Sequence, residues 1–240
     1  MEAILLAGGM GTRLAGRLNG VPKPMAPVAG RPFLEFPLRQ LERAGCTRAI
    51  LSVGHLHGVI QEHFGAEFRG VRIDYAVEDQ PLGTGGAIRR SLRMAQEPAV
   101  LVLNGDTFLD ADYDGLLRFH QRQRAALTMA VTQCPNVARY GGVTIDAMGM
   151  EMRGADMRVT GFEEKGRAGA GWINAGAYAM DRDMPWPSQL PGKFSFETDF
   201  LAREITRIAP AAFPVEGFFL DIGVPADLDR AQTELARFLY

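Results

Sequence analysis

Cysteine is nearly missing from this chain: Cys46 and Cys134 are the only two in 240 residues. They form no C-x-x-C pair and no cluster with metal-ligand spacing, which leaves two free thiols in a reducing cytosol. No apolar run approaches the ~20 residues that cross a bilayer. The first residues show no basic segment followed by a long apolar stretch and a cleavage site, so no signal peptide is expected and the expected location is cytoplasmic. An excess of one charge is lacking too. With 26 basic and 28 acidic residues the formal net charge is −2, so there is no electrostatic footprint for nucleic acid or an anionic membrane. Any phosphate binding must be local.

Familiar catalytic groupings are equally scarce. The Walker pattern G-x-x-x-x-G-K-[ST] is absent. Ser52, Ser91, Ser188 and Ser195 have no adjacent base or nucleophile elbow, so no covalent nucleophile is expected. Of the four histidines, His55 and His57 are two apart and would not face one another on a helix. His55, His57, His63 and His120 all read as surface residues.

What is present is enough apolar residue, 47 %, for one large core. Residues 49–53 and 99–103 are apolar runs of buried-strand type, and Val71, Ile73, Tyr75 and Val77 alternate as a strand with one wetter side. Helices are expected over 32–45, 56–64, 84–95 and 114–123, with Pro37 an awkward interior residue of the first. A strand is expected over 126–132. This alternation predicts an α/β fold, a Rossmann-like doubly wound mixed sheet. From Tyr140 the pattern turns β-rich, over 140–145, 159–164, 172–180 and 211–221, with one helix over 197–208. We read it as an extension that closes over the sheet. A last helix over 226–239 carries a stripe of Leu228, Ala231, Leu235 and Phe238 that could pack inward or against a second copy, making a homo-oligomer possible.

The opening stretch is the most informative. M-E-A-I-L-L-A is a buried strand that breaks into Gly8, Gly9 and Gly11, followed by Arg13 and by Lys23 between two prolines. Clustered backbone amides suit an anion, and the two cations beside them point to nucleotide phosphates. Leu14 stands where a dinucleotide fingerprint needs its third glycine, which counts against a dehydrogenase. Glu78 to Gly86, E-D-Q-P-L-G-T-G-G, follows a strand and opens a helix; Gly83, Gly85 and Gly86 would permit close approach by a flat or charged ligand, or merely turn the chain. Asp106, in L-N-G-D, ends the strongest buried strand, where a hard Mg²⁺ ligand is expected, with an Asx turn as the bland alternative. Asp110-x-Asp112 could hold the metal of a glycosyltransferase, but with Asp114 it reads better as an acidic start to a helix.

With these residues named, the chain resembles the sugar-1-phosphate nucleotidyltransferases, a family with a GT-A-like fold. L-A-G-G-M-G-T-R-L with P-K-P-M is its signature, and P-L-G-T-G-G-A, N-G-D, R-Y-G-G-V, F-E-E-K, I-N-A-G-A-Y and D-I-G recur in order up to about Asp229. The S-V-G-H, F-S-F-E-T-D-F and F-L-D-I-G-V-P segments are similar to the D-glycero-α-D-manno-heptose-1-phosphate guanylyltransferases. Enzymes of mannose 1-phosphate and of N-acetylhexosamine phosphates share most of these motifs.

The resemblance implies one domain over 1–240, with a nucleotide-binding half at 1–135 and a sugar-phosphate half with the last helix at 136–240. It implies GTP and a sugar 1-phosphate as partners and Mg²⁺ as cofactor. Leu6, Ala7, Gly8 and Gly9 would meet base and ribose through backbone, with Pro81, Leu82, Gly83 and Thr84 completing the base pocket. Gly11, Thr12, Arg13 and Lys23 would hold the phosphates, and Asp106 and Asp221 the metal. Glu163 and Asn174 would bond sugar hydroxyls, Lys165 the sugar phosphate, and Gly141 would let the sugar pack on backbone. Arg13, Lys23 and Asp106 would be the catalytic set. Gly166 and Gly16 replace prolines common in relatives. A glycosyltransferase or a non-catalytic nucleotide-binding module are the readings from other classes; the second would be favoured by loss of Arg13, Lys23, Asp106 or Asp221, and all four are present.

Overall fold

The computed structural model describes residues 1–9, 11–18, 20–123, 125–147, 157–163 and 168–239. In chain order these form β1 (Glu2–Leu6), β2 (Pro27–Val28), β3 (Arg31–Pro32), α1 (Glu35–Arg43), β4 (Arg48–Val53), α2 (His57–Phe64), β5 (Glu67–Phe68), β6 (Val71–Val77) and α3 (Gly83–Leu92). Next come β7 (Ala99–Asn104), β8 (Thr107–Leu109), α4 (Tyr113–Gln123), β9 (Leu127–Cys134), β10 (Gly142–Ala147), β11 (Met157–Glu163) and β12 (Gly171–Asp181). The chain closes with α5 (Ala202–Ile208), β13 (Ala211–Pro214), β14 (Phe219–Asp221) and α6 (Pro225–Glu234).

Ten strands join one mixed sheet in the order β10-β11-β13-β9-β12-β7-β1-β4-β6-β5. β1 lies between β4 and β7, parallel to both, as its apolar run requires, because a strand buried on both faces belongs inside the sheet. One core packs α1, α2 and α4 on one face through Leu38, Leu41, Ile60, Phe64 and Leu116. The other packs α3 and α5 through Ile88, Leu92 and Ile205. This is the doubly wound arrangement expected.

The second half departs from expectation in where it goes. It continues the same sheet instead of closing over it. β12 runs antiparallel between β7 and β9 because Ile173, Ala175, Ala177, Tyr178, Ala179 and Met180 bury both of its faces. Residues 211–221 are two strands in different sheets: β13 is parallel to β9, while β14 pairs with β8. The helix expected over 197–208 is a π-helical turn, Phe196–Leu201, running into α5.

Three local expectations also change. α1 starts at Glu35, so Pro37 is its third residue, where the N–H has no helical partner to lose. His120 is buried, not on the surface; Nδ1 meets Thr128 Oγ1 at 2.9 Å and Nε2 meets Asp181 Oδ1 at 3.1 Å. Burial lowers its pKa, and the bond from Asp181 works the other way. The stripe of the last helix packs inward: Leu228, Ala231 and Leu235 join Leu14, Phe33, Phe36 and Phe108 in a third core.

β1, β4 and β6 are also tied by charge. Arg48 donates to Glu2 Oε1 at 2.6 Å and to Asp74 Oδ2 at 2.5 Å, and Glu2 Oε2 accepts the amides of Gln96 and Glu97. Burial pushes the Glu2 and Asp74 pKa values up, but these bonds outweigh it and hold both below the usual range. Arg48→Leu strands two carboxylates in a mostly buried setting. We expect it to lower unfolding free energy by about 3 kcal/mol, read as a lower urea midpoint at unchanged slope.

Candidate active site

The carboxyl ends of β1 and β7 are drawn together by Gly105. Its amide donates to the Leu6 carbonyl at 3.0 Å, and a Cβ there would lie 2.5 Å from that oxygen. This contact sets the glycine loop after β1 beside Asp106. Gly11 takes φ +58, and a Cβ would fall 2.9 Å from Lys23 Cβ, so both backbone shape and space demand glycine. Pro22 is extended, and Lys23–Met25 forms a 3₁₀ turn with Pro24. The two prolines fix the lysine's approach.

Lys23 Nζ is 2.5 Å from Asp106 Oδ2 and 3.9 Å from Asp221 Oδ1. The two aspartates, far apart in sequence, are joined by the β8–β14 pair, in which Thr107 lies opposite Asp221, and by the Ile222 amide donating to the Asp106 carbonyl at 3.0 Å. Asp221 also accepts from the Gly223 amide. Burial and the neighbouring Asp106 charge push its pKa up to about 6, against the pull of Lys23. Among the described residues no group of three or more His, Cys, Asp or Glu converges as a metal site. Two carboxylates converging on one ammonium are nevertheless a fit for Mg²⁺, which takes one or two carboxylates and completes its shell with water and phosphate oxygens.

Two clefts meet at Asp221. One, of about 340 Å³, is lined by Gly9, Gly11, Leu14, Lys23, Asp106 and Gly223. The other, about 150 Å³, is lined by Asn104, Thr107, Tyr140, Gly141, Asn174 and Glu197, among others. β12 shifts register between Asn174 and Tyr178, and Gly176 there has φ +70. This bulge re-aims Asn174, whose side chain donates to Tyr178 Oη at 2.6 Å and accepts the Gly176 amide.

The stretch 81–84 packs against a segment distant in sequence. The space a side chain at Gly83, Gly85 or Gly86 would need is taken by Phe194 and Gly192. Phe194 donates its amide to Leu82 and accepts from that of Gly85, both at 3.0 Å. Close packing against the chain's own segment therefore accounts for the lack of a side chain at all three positions. Thr84 Oγ1 donates to Glu197 at 2.8 Å and accepts the Phe196 amide, which leaves its side chain engaged within the fold. Pro81 is exposed.

Of the other expected residues, Leu6, Ala7 and Gly8 end β1 beside β4, Ala7 donating to the Ser52 carbonyl at 2.7 Å. Glu163 ends β11 in register with Gly142 and is exposed. The side chains of Thr12 and Arg13, and the whole of Lys165 and Gly166, lie outside the described residues. Asp112 Oδ1 accepts the Gly115 amide at 2.8 Å, the helix-start role preferred for the D-x-D. Sequence reasoning missed Glu197, Asn104 and Tyr140. It also missed Glu78, which accepts Ser52 Oγ at 3.2 Å and the Leu82 amide at 2.8 Å beside Gly8. Its place just after β6 was the one available signal.

Comparison with known proteins gives a consistent picture. The profile of the family described as Nucleotidyl transferase matches residues 2–237. The chain is 38 % identical over 239 residues to a D-glycero-alpha-D-manno-heptose 1-phosphate guanylyltransferase of Aneurinibacillus thermoaerophilus, covering 100 % of both chains. It is 40 % identical to the enzyme of that name from Campylobacter jejuni, covering 95 % of this chain and 96 % of that one. Among solved structures, HddC from Yersinia pseudotuberculosis complexed with GMP-PN superposes with a TM-score of 0.81 at 34 % identity, over 96 % of this chain and 97 % of the other.

The raised pKa of Asp221 fixes a sign. Between the unfolded value near ~3.9 and about 6 the native state holds a proton that the unfolded chain has lost, so stability falls as pH rises through that window. Asparagine keeps an acceptor for Gly223 and removes the repulsion. Metal-free Asp221→Asn should therefore be more stable than the parent at pH 8, by on the order of 1 kcal/mol after allowance for solvent screening. Calorimetry in chelator should show the gap shrinking towards pH 4.5; an unchanged gap there would contradict the electrostatic cause.

Proposed function

Because the chain belongs to the nucleotidyl transferase family, we propose that it transfers the GMP unit of GTP to D-glycero-α-D-manno-heptose 1-phosphate, giving GDP-heptose and pyrophosphate. The observation that carries this is the meeting of two clefts at Asp221, one with Lys23 and Asp106, the other with Asn174 and Gly141. Both heptose enzymes named above match this chain over nearly their full lengths, which supports the sugar. The Yersinia relative was solved with GMP-PN, which supports a guanine nucleotide. No helix among the described residues is long and apolar enough to cross a membrane.

A phosphate oxygen of the sugar 1-phosphate attacks the α-phosphorus; the bond to the bridging oxygen breaks and pyrophosphate leaves. The nucleophile is already ionised, so no side chain needs to take its proton. What the protein must do is align two anions and offset their charge. Backbone of 6–9 and 81–84 holds base and ribose, and Gly11, Thr12 and Arg13 the triphosphate. Lys23 offsets charge on the departing pyrophosphate. Glu163, Asn174, Gly141 and Lys165 receive the sugar phosphate. Asp106 and Asp221 would hold one Mg²⁺, which when bound supplies charge neutralisation on phosphate oxygens.

Nucleoside triphosphates crossed against sugar 1-phosphates, scored by pyrophosphate release, test the reading. GTP with the heptose 1-phosphate should give the highest kcat/KM, and preference for mannose 1-phosphate or for UTP would displace it. Asp106→Ala should abolish pyrophosphate release with circular dichroism unchanged.

Lys23 stands where the carboxylates would hold metal. Lys23→Met should cost about 2–4 kcal/mol in transition-state stabilisation. It should also tighten Mn²⁺ binding without nucleotide, because a competing cation is gone. Titration calorimetry gives the second readout; weaker Mn²⁺ binding would refute the competition.

A further inference from the structure

The reaction derived above uses the carboxyl edge of the central strands. At the opposite edge Asp181, ending β12, lies in register with Ala99 at the start of β7. There a cavity of about 500 Å³ opens between the end of α3 and the segment after β12, lined by Arg89, Leu92, Arg93, Arg182, Asp183 and Trp186. Three guanidinium groups face one carboxylate in a chain whose net charge is −2, so the local excess does not reflect general basicity.

The fold uses these arginines unequally. Arg89 donates to the carbonyls of Leu190 and Pro191, its guanidinium carbon 4.9 Å from the centre of the Phe194 ring. Arg182 donates to the Gln96 carbonyl at 3.1 Å and to Asp183 at 3.3 Å. Arg93 is exposed; its backbone amide donates to the Arg90 carbonyl at 3.2 Å, and its side chain has no hydrogen bond or ion pair among the described residues. Cations near a helix C-terminus are favourable to its dipole, and that accounts for Arg89 and Arg93, in the last turn and at the cap of α3. It does not account for Arg182 reaching the same cavity from another element. Trp186 packs against Phe194, Phe196 and Phe200, with centroids at 5.6, 6.2 and 4.7 Å, and gives the cavity an aromatic wall.

We propose that this cleft is a second ligand site, separate from the catalytic one, for a small organic phosphate. Arg93 and Arg182 take the phosphate, since a guanidinium fork matches phosphate oxygens in pairs. Trp186 and Leu92 take a flat or apolar portion. Arg89, already bonded to two carbonyls, fixes the wall and adds charge.

The emission of Trp186 tests this directly. With Trp172→Phe as background, Trp186 is the sole tryptophan. Phenyl phosphate, inorganic phosphate and phenol are titrated at constant ionic strength set with NaCl. Phenyl phosphate should give a saturable change with half-saturation about fivefold below that of inorganic phosphate. Arg93→Glu, an exposed substitution, should weaken it about tenfold or more. Lys23→Met should leave it unchanged, so the site is read independently of the proposed catalysis. The absence of saturation, an equal response to phenol, equal half-saturation for the two phosphates, an unchanged response in Arg93→Glu, or loss in Lys23→Met would each overturn the proposal.

Discussion

Two carboxylates held within reach of one ammonium group are the constraint from which much of this molecule follows. Asp106 and Asp221 would repel each other, and their separation is not free to relax: β8 and β14 pair directly beneath them, and Ile222 is bonded to the Asp106 carbonyl. Lys23 answers with a positive charge at 2.5 and 3.9 Å, yet Asp221 still binds its proton more tightly than an ordinary carboxylate. Bringing the lysine there requires prolines on both sides of it and a glycine at position 11, because a Cβ would strike its side chain. Bringing β1 against β7 requires Gly105. Gly11, Pro22, Pro24 and Gly105 are therefore tied to the placing of one cation between two anions.

That placement has a physical use. A reaction between two phosphate esters is opposed chiefly by their mutual charge, and a wall shared by both clefts can neutralise both at once. Regular elements carry the core, while the irregular ones line the smaller cleft: the register shift of β12, the left-handed Gly176, and the π-turn that contributes Glu197. Such breaks re-aim single side chains without moving the sheet.

The sequence was legible where one residue's environment depends on its immediate neighbours. The strands at 49–53, 71–77 and 99–103 followed from apolar runs and alternation, the glycine loop from its composition, and Asp106 from its position after a buried strand. It was less legible where the partner lies far along the chain. The close packing of Phe194 on Gly83 and Gly85 has no signal in the residues around them. His120 looks like a surface residue because its partners, Thr128 and Asp181, come from β9 and the end of β12. Asp221 has no local signal at all: nothing in F-L-D-I-G marks it as a partner of Asp106, and only the likeness to a family singled it out.

The segment around Phe194 shows how such distant pairing can shape both ends of the molecule. Its backbone closes the turn at Leu82 and Gly85, and Thr84 reaches from that turn to Glu197 in the smaller cleft. Its ring meets Arg89 and Trp186 at the far edge of the sheet. α3 thus carries contacts at both ends, its first turn against the backbone of Phe194 and its last in the arginine cleft. A glycine-rich start lets this helix lie against Phe194 at the closest range, so a displacement of that segment meets backbone and not a compliant side chain. Contacts of this kind make the geometry of the 81–84 loop a property of the whole α3–Phe194 unit.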